Sequence, residues 1–231
     1  MVNLLFDYDG TLHDSLHIYA PAFQTAYDRL AERGYAPPRR WSMEEVRPWI
    51  GLSPGEMWDR FMPDLPEEEK RASSALIGDQ MLELIRAGQA RLYPGVPEIL
   101  AQLRESGCCL LLLSHCPASY LEAHAARFRL ERFFSALYCG EQFGYQPKHA
   151  ICRELRKRHD GDFLVIGDRR QDIEAARKNG LCAIGCLYGY GGREELSGAD
   201  WTASAPAELP DRVGQWLAEE NPQPFSAVSR I

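Results

Sequence analysis

Leu4-Leu5-Phe6-Asp7-Tyr8-Asp9-Gly10-Thr11-Leu12 is an apolar run that ends in two carboxylates placed two residues apart. Successive side chains of a strand alternate between faces, so Asp7 and Asp9 share one face if the extended geometry reaches that far. Gly10 permits a sharp turn and a close approach of backbone to ligand. Open parallel sheets bind ligands at the carboxyl ends of their strands, and two carboxylates gathered there are costly without a cation between them. A divalent metal ion is the simplest remedy. The competing reading is a pair of ordinary turn residues, since Asp and Gly are common at strand ends.

The segments that follow sort into a helical block and then alternating strands and helices. Asp14-Ser15-Leu16 can cap a helix, and Ile18, Ala22, Ala26 and Leu30 recur at helical spacing up to Gly34. Between Trp41 and Gln89 the pattern stays helical, with Glu67 to Ile85 the longest piece, and nothing in the block reads as a strand. Pro94-Gly95 marks a return: Val96, Ile99, Leu100 and Leu103 outline an amphipathic helix that stops at Gly107. Cys108 to Leu113 is continuously apolar, as in a strand covered on both faces. Pro117 opens the next helix, Ala136–Cys139 reads as a third strand, and Ile151 and Leu155 mark another helix. Phe163–Ile166 reads as a fourth strand ending at Gly167-Asp168, then a helix over Asp172–Asn179, a fifth strand over Cys182–Leu187, and a short closing helix with Val213, Trp216 and Leu217. The expected class is α/β: a Rossmann-like parallel sheet with right-handed crossovers and an inserted α-helical cap. Residues 1–13 and 92–221 then form the core, 14–91 the cap and 222–231 a tail.

Composition narrows the partners. The formal net charge of −7 over 231 residues, with basic residues dispersed, does not resemble a nucleic-acid footprint. No stretch approaches the ~18 apolar residues of a membrane span, and Met1-Val2-Asn3 does not open a secretory signal. The seven cysteines form no CxxC pair and read as reduced core thiols. The expectation is a cytoplasmic protein acting on a small metabolite, with no nucleic-acid or membrane partner; the oligomeric state is open.

In a parallel sheet the carboxyl ends of all strands share one edge, so Asp7, Asp9, Ser114, Lys148, Asp168 and Asp172 converge. Phosphoryl transfer needs charge neutralisation, an in-line nucleophile and a proton donor for the leaving oxygen. Asp7 is placed as the nucleophile and Asp9 as the proton donor to the leaving alkoxide and later the base for water. Asp168, with Asp7, Asp9 and Asp172 close by, suits a hard cation, most simply Mg²⁺. Ser114 and the backbone amides of Gly10 and Thr11 are donors for phosphoryl oxygens, and Lys148 supplies a compact positive charge. His115 is a further candidate donor to substrate. Helix capping is the ordinary reading of Ser114 and Asp172, a solvated helix start that of Lys148, and surface charges or cap contacts that of Arg169 and Arg170.

Asp7-Tyr8-Asp9-Gly10-Thr11, Ser114, Lys148 and Gly167-Asp168-Arg169-Arg170-Gln171-Asp172 resemble, in order, the four motifs of the haloacid dehalogenase superfamily. The helical block is similar to the cap of its phosphoglycolate phosphatase-like branch, as are Tyr188-Gly189-Tyr190-Gly191, Glu194-Glu195-Leu196 and Gly198-Ala199-Asp200 to that branch's ending. The resemblance implies Mg²⁺ and a phosphatase working through an aspartyl-phosphate, with 2-phosphoglycolate a candidate substrate, and it offers Arg47, Trp49 and Gly51 as a cap loop facing the substrate. Two residues depart from the pattern: Gln146-Pro147-Lys148-His149 inverts the usual Lys-Pro order, and His13 stands where a smaller or apolar residue is common. A phosphohexomutase would use the same core, and a non-catalytic phosphate-responsive binding module would combine similar residues.

Overall fold

A computed structural model of the chain describes residues 1–220. The tail expected over 222–231 lies outside the described residues. The sheet is built from β1 (Val2–Phe6), β2 (Cys108–Ser114), β3 (Ala136–Cys139), β4 (Asp162–Gly167), β5 (Cys182–Cys186) and β6 (Trp201–Ala203), paired in the order β3-β2-β1-β4-β5-β6. Every pairing is parallel. In β1 the alternation of side chains is complete: Leu4 and Phe6 enter one apolar core, Leu5 the other. The registers Leu4 with Leu110 and Leu164, and Leu5 with Leu111 and Val165, stack neighbouring strands into the same two cores. This is why these runs are apolar throughout: both faces are covered.

The chain leaves β1 for β2 and β3 on one side and returns to β4, β5 and β6 on the other. The direction reverses beside β1, which leaves a crevice at its carboxyl end, the usual ligand position in such sheets. β6, only Trp201–Ala203, was not foreseen in the sequence. Three residues are too few for an apolar pattern to register, and the strand is held at the edge by the ladder to Ile184–Cys186.

Between β1 and the second strand lie α1 (Leu16–Glu32), α2 (Met43–Val46), α3 (Pro54–Phe61) and α4 (Glu67–Arg86), and no strand. They bury a separate core in which Phe23 and Tyr27 stack and both meet Trp41 and Phe61 edge to face or tilted, with centroids 5.2–6.5 Å apart. Ser42 with Glu45 and Ser53 with Glu56 form capping boxes that start α2 and α3. Helices α5 (Val96–Glu105), α6 (Ala118–Phe128), α7 (Lys148–Arg158), α8 (Arg170–Arg177) and α9 (Leu209–Glu220) alternate with the remaining strands. No helix among the described residues is long and apolar enough to cross a membrane.

Candidate active site

The extended backbone of β1 stops at Phe6, and only Asp7 continues its pairing, through an N–H bond to the Ile166 carbonyl at 2.8 Å. From Tyr8 the chain folds into a tight turn: the amides of Thr11, Leu12 and His13 all reach the Tyr8 carbonyl, and Gly10, at φ +87°, donates to the His13 carbonyl. The turn corrects two expectations. The Gly10 and Thr11 amides, proposed as phosphoryl donors, are satisfied within it; the Thr11 hydroxyl faces Asp168 at 3.3 Å and Asp7 at 3.4 Å instead. The strand also ends before Asp9, so Asp7 and Asp9, which line one cavity, do not come together there through strand alternation.

Asp7, Asp168 and Asp172 are buried and each presents an oxygen within 4.8 Å of the other two. The Asp9 carboxylate does not join this cluster, so a place for Asp9 at the metal, expected from the sequence, is not through that group. Lys148 is the compensating charge: its ammonium donates to Asp7 and, at 2.6 Å, to Asp172. The inverted Pro147-Lys148 order thus starts α7 at Lys148 and still delivers the side chain to the cluster. Asp172 accepts from Lys148 on one oxygen and from the Arg169 amide at 3.0 Å on the other, so it caps α8 and faces the cluster at once. Burial pushes the Asp7 carboxyl up to about 7; Lys148 opposes the rise and Asp172 adds to it. Burial, then Asp7 and Asp172, raise Asp168 well above the carboxylate range, with the Tyr190 amide and Lys148 pulling back. Burial disfavours charge on Lys148, but Asp172 and Asp7 outweigh it and raise its pKa.

Three buried carboxylates against one ammonium leave excess negative charge, which a hard divalent ion with oxygen preference would neutralise. The surroundings fit such an ion. A Cβ on Gly10 or Gly189 would run into the Asp168 carboxylate, so both positions keep the approach to that oxygen clear. The residues that would hold Mg²⁺ are Asp7, Asp168 and Asp172.

Asp9 has its own environment. His13 Nδ1 and the Tyr120 hydroxyl both donate to its Oδ1, each at 2.8 Å. A carboxylate only accepts, so Nδ1 of His13 carries the proton. Fully buried, His13 stacks on Tyr8 at 5.3 Å and meets His124 edge to face at 4.4 Å; the Tyr8 hydroxyl pairs with His124 Nδ1 at 2.8 Å. Burial raises the Asp9 pKa, but the hydrogen bond and charge of His13, with His124 and Tyr120, outweigh it and leave Asp9 below its ordinary value. Burial and His13 lower His124 to about 3, which keeps it neutral. His13, a departure from the family pattern in the sequence, and Tyr120, there only a residue of the helix after Pro117, are therefore the residues that orient Asp9. The polar positions on a helix and a turn carried no spacing signal that tied them to it.

A cavity of about 1000 Å³ opens over Asp7, Asp9, Ser114 and Lys148 and runs to the helical layer. Ser114 is buried at the end of β2 and faces this cavity; α6 is capped by Pro117 without a side-chain bond, so Ser114 is not its cap. His115 is exposed on the same wall, its pKa lowered by desolvation and by Lys148. Trp49 and Gly51 line the cavity, but Arg47 does not. Its guanidinium donates to the Gly189 carbonyl at 2.8 Å, tying the helical layer to the loop after β5, so the structure does not place it against substrate. Arg169, read from sequence among surface charges or cap contacts, lines the cavity, pairs with Glu195 at 2.8 Å and donates to the Ile50 carbonyl. Tyr190 completes the attachment: its amide donates to Asp168 at 2.7 Å, and its hydroxyl donates to Asp14 at 3.0 Å and accepts the Leu16 amide at 2.9 Å. That phenol replaces Ser15 as the side-chain partner of the first turn of α1.

Comparisons with known proteins show what the chain is similar to. A phosphoglycolate phosphatase of Synechococcus elongatus is 32% identical over 230 residues, covering 95% of this chain and 100% of its own. A 5'-nucleotidase of Pseudomonas aeruginosa is 30% identical over 201 residues, covering 84% of this chain and 86% of its own. Among solved structures, CbbY from Rhodobacter sphaeroides in complex with phosphate superposes with a TM-score of 0.71 over 90% of this chain and 95% of that one; at 22% identity this speaks for the fold. A family model described as haloacid dehalogenase-like hydrolase matches residues 4–186, and the chain belongs to that family.

Proposed function

We propose that the protein is a Mg²⁺-dependent phosphatase that hydrolyses a small phosphomonoester through a phosphoryl group carried on Asp7. The supporting observation is the gathering of Asp7, Asp168, Asp172 and Lys148 at one point under a cavity that Asp9 also lines. When bound, Mg²⁺ supplies charge neutralisation for the carboxylates and for the non-bridging phosphoryl oxygens. The Lys148 ammonium and the Ser114 hydroxyl hold the phosphoryl group with its phosphorus in line with an Asp7 oxygen.

Asp7 then attacks phosphorus and the ester P–O bond breaks. Asp9 gives its proton to the departing alkoxide. The incoming phosphate dianion supplies that proton affinity, because a like charge beside a carboxylate favours its neutral form. In the second half Asp9, again ionised, takes a proton from water; the water oxygen attacks phosphorus, the P–O bond to Asp7 breaks, and inorganic phosphate leaves. The helical layer over the cavity limits competing water during the first transfer.

The relatives' names bring 2-phosphoglycolate first among esters to be tried. The experiment is phosphate release by the full chain with and without Mg²⁺, beside Asp7→Asn. Mg²⁺-dependent release that Asp7→Asn loses is expected. Release that survives Asp7→Asn would overturn the covalent route, and an isomerised sugar phosphate in place of inorganic phosphate would make the protein a mutase.

A further inference from the structure

Beyond the phosphoryl group, the cavity has a chemistry of its own. Its wall from the helical layer is made by Tyr19, Trp49, Met57, Ile77, Met81 and Leu82, with small or hydroxyl residues between them. No lysine, arginine or histidine of that layer lines it; its ionisable residues there are the carboxylates of Glu56 and Asp79. Cations on the opposite wall are already engaged, Lys148 by Asp7 and Asp172, and Arg169 by Glu195 and the Ile50 carbonyl. Two imidazoles also line that wall, His115, near enough to Lys148 to feel its charge, and His149. An anionic leaving group extending from the phosphorus toward the helical layer would meet apolar surface and two carboxylates, with no cation of that layer to pair its charge. The volume of about 1000 Å³ is at the upper end of pockets that enclose drug-sized ligands.

We infer that the leaving group is an uncharged alcohol with an apolar or aromatic face, as in an aryl or nucleoside monophosphate, and that the wall of α4 rejects anionic leaving groups such as glycolate. The inference rests on the phosphatase reading and sharpens it. Leu82 is the residue that makes the rejection testable: it lines the cavity but belongs to none of the buried apolar clusters, so the fold tolerates a change there.

The test compares kcat/KM for phenyl phosphate, 4-carboxyphenyl phosphate and 2-phosphoglycolate with Mg²⁺, in the wild-type chain and in Leu82→Arg. The two aryl esters differ by one carboxylate at nearly the same size and reactivity. Phenyl phosphate is expected to exceed both anionic esters at least tenfold, and Leu82→Arg to narrow the gap between the aryl pair at least fivefold. Equal or better turnover of either anionic ester by the wild type would overturn this inference and leave the phosphatase reading standing. An unaltered gap in a folded Leu82→Arg would remove the role given to α4. No Mg²⁺-dependent turnover of any ester by folded protein would sink the phosphatase reading, and this inference with it.

Discussion

Removing one hydroxyl tests how Asp9 is set for proton transfer. Tyr120→Phe deletes a donor that reaches Asp9 Oδ1 at 2.8 Å and leaves the ring in place. With His13 on the same oxygen, the two donors fix the carboxylate and leave Oδ2 for the substrate's bridging oxygen. A hydrogen bond to a charged group is worth ~1.5–3 kcal/mol. The bond also favours ionised Asp9, so its loss raises the acid form; with His13 still donating, the net cost comes from lost orientation and is bounded by the lower figure, about tenfold in rate. The loss should depend on the leaving group. An alkoxide needs the proton that Asp9 supplies, whereas p-nitrophenolate leaves without it. The assay is kcat/KM, which reports the first phosphoryl transfer and excludes breakdown of the intermediate. Benzyl phosphate should lose about tenfold and p-nitrophenyl phosphate about twofold or less. Equal losses on both esters, or none on either, would refute the assignment of Tyr120 as a positioning residue for Asp9.

Other outcomes follow from the carboxylate cluster. Asp7→Asn removes one of three crowded buried charges, so the metal-free protein should melt at the same or a higher temperature while turnover disappears; a large drop in Tm would contradict the electrostatic account. Asp7 and Asp168 have raised pKa values, so they bind protons more tightly folded than unfolded. Their contribution to stability is therefore present below the unfolded value and lost as pH rises through the folded value, for Asp7 from about 4 to about 7. Mg²⁺ should accordingly raise Tm more at pH 8 than at pH 5.5, and Asp168→Asn should abolish the difference, as thermal melts with and without EDTA would report. Gly10→Ala places a methyl group against the Asp168 carboxylate at a backbone φ of +87°; apparent Mg²⁺ affinity should fall more than tenfold, read by titrating activity.

Much of this architecture is written in local patterns. Leu4–Phe6, Leu110–Leu113 and Leu164–Ile166 are apolar at every position because both faces of the sheet are covered, and covered strands have few other spellings. The edge assembled by their ends brought Asp7, Ser114, Lys148 and Asp168 into view from sequence, since parallel strands place their carboxyl ends together. What stayed hidden depends on side-chain direction across long separations. Tyr120 meets Asp9 from 111 residues away, and Tyr190 meets Asp168 through its backbone amide and α1 through its phenol; neither contact leaves a periodicity. The Gly10 and Thr11 amides misled for a different reason. A turn closing on the Tyr8 carbonyl uses its own donors, and the count of available amides depends on turn geometry that Asp-Gly-Thr does not specify.

Tyr190 also links two equilibria. One end of this residue grips Asp168 through its amide and the other grips the threshold of α1 through its phenol. It acts as a strut between the Asp168 carboxylate and the first turn of the helical layer. Any tilt of α1 that frees the phenol alters the purchase on Asp168, and thermodynamic reciprocity makes the converse hold to the same degree. On the proposed reading of the site, ion binding at Asp168 and any movement of α1 are therefore coupled through this one residue.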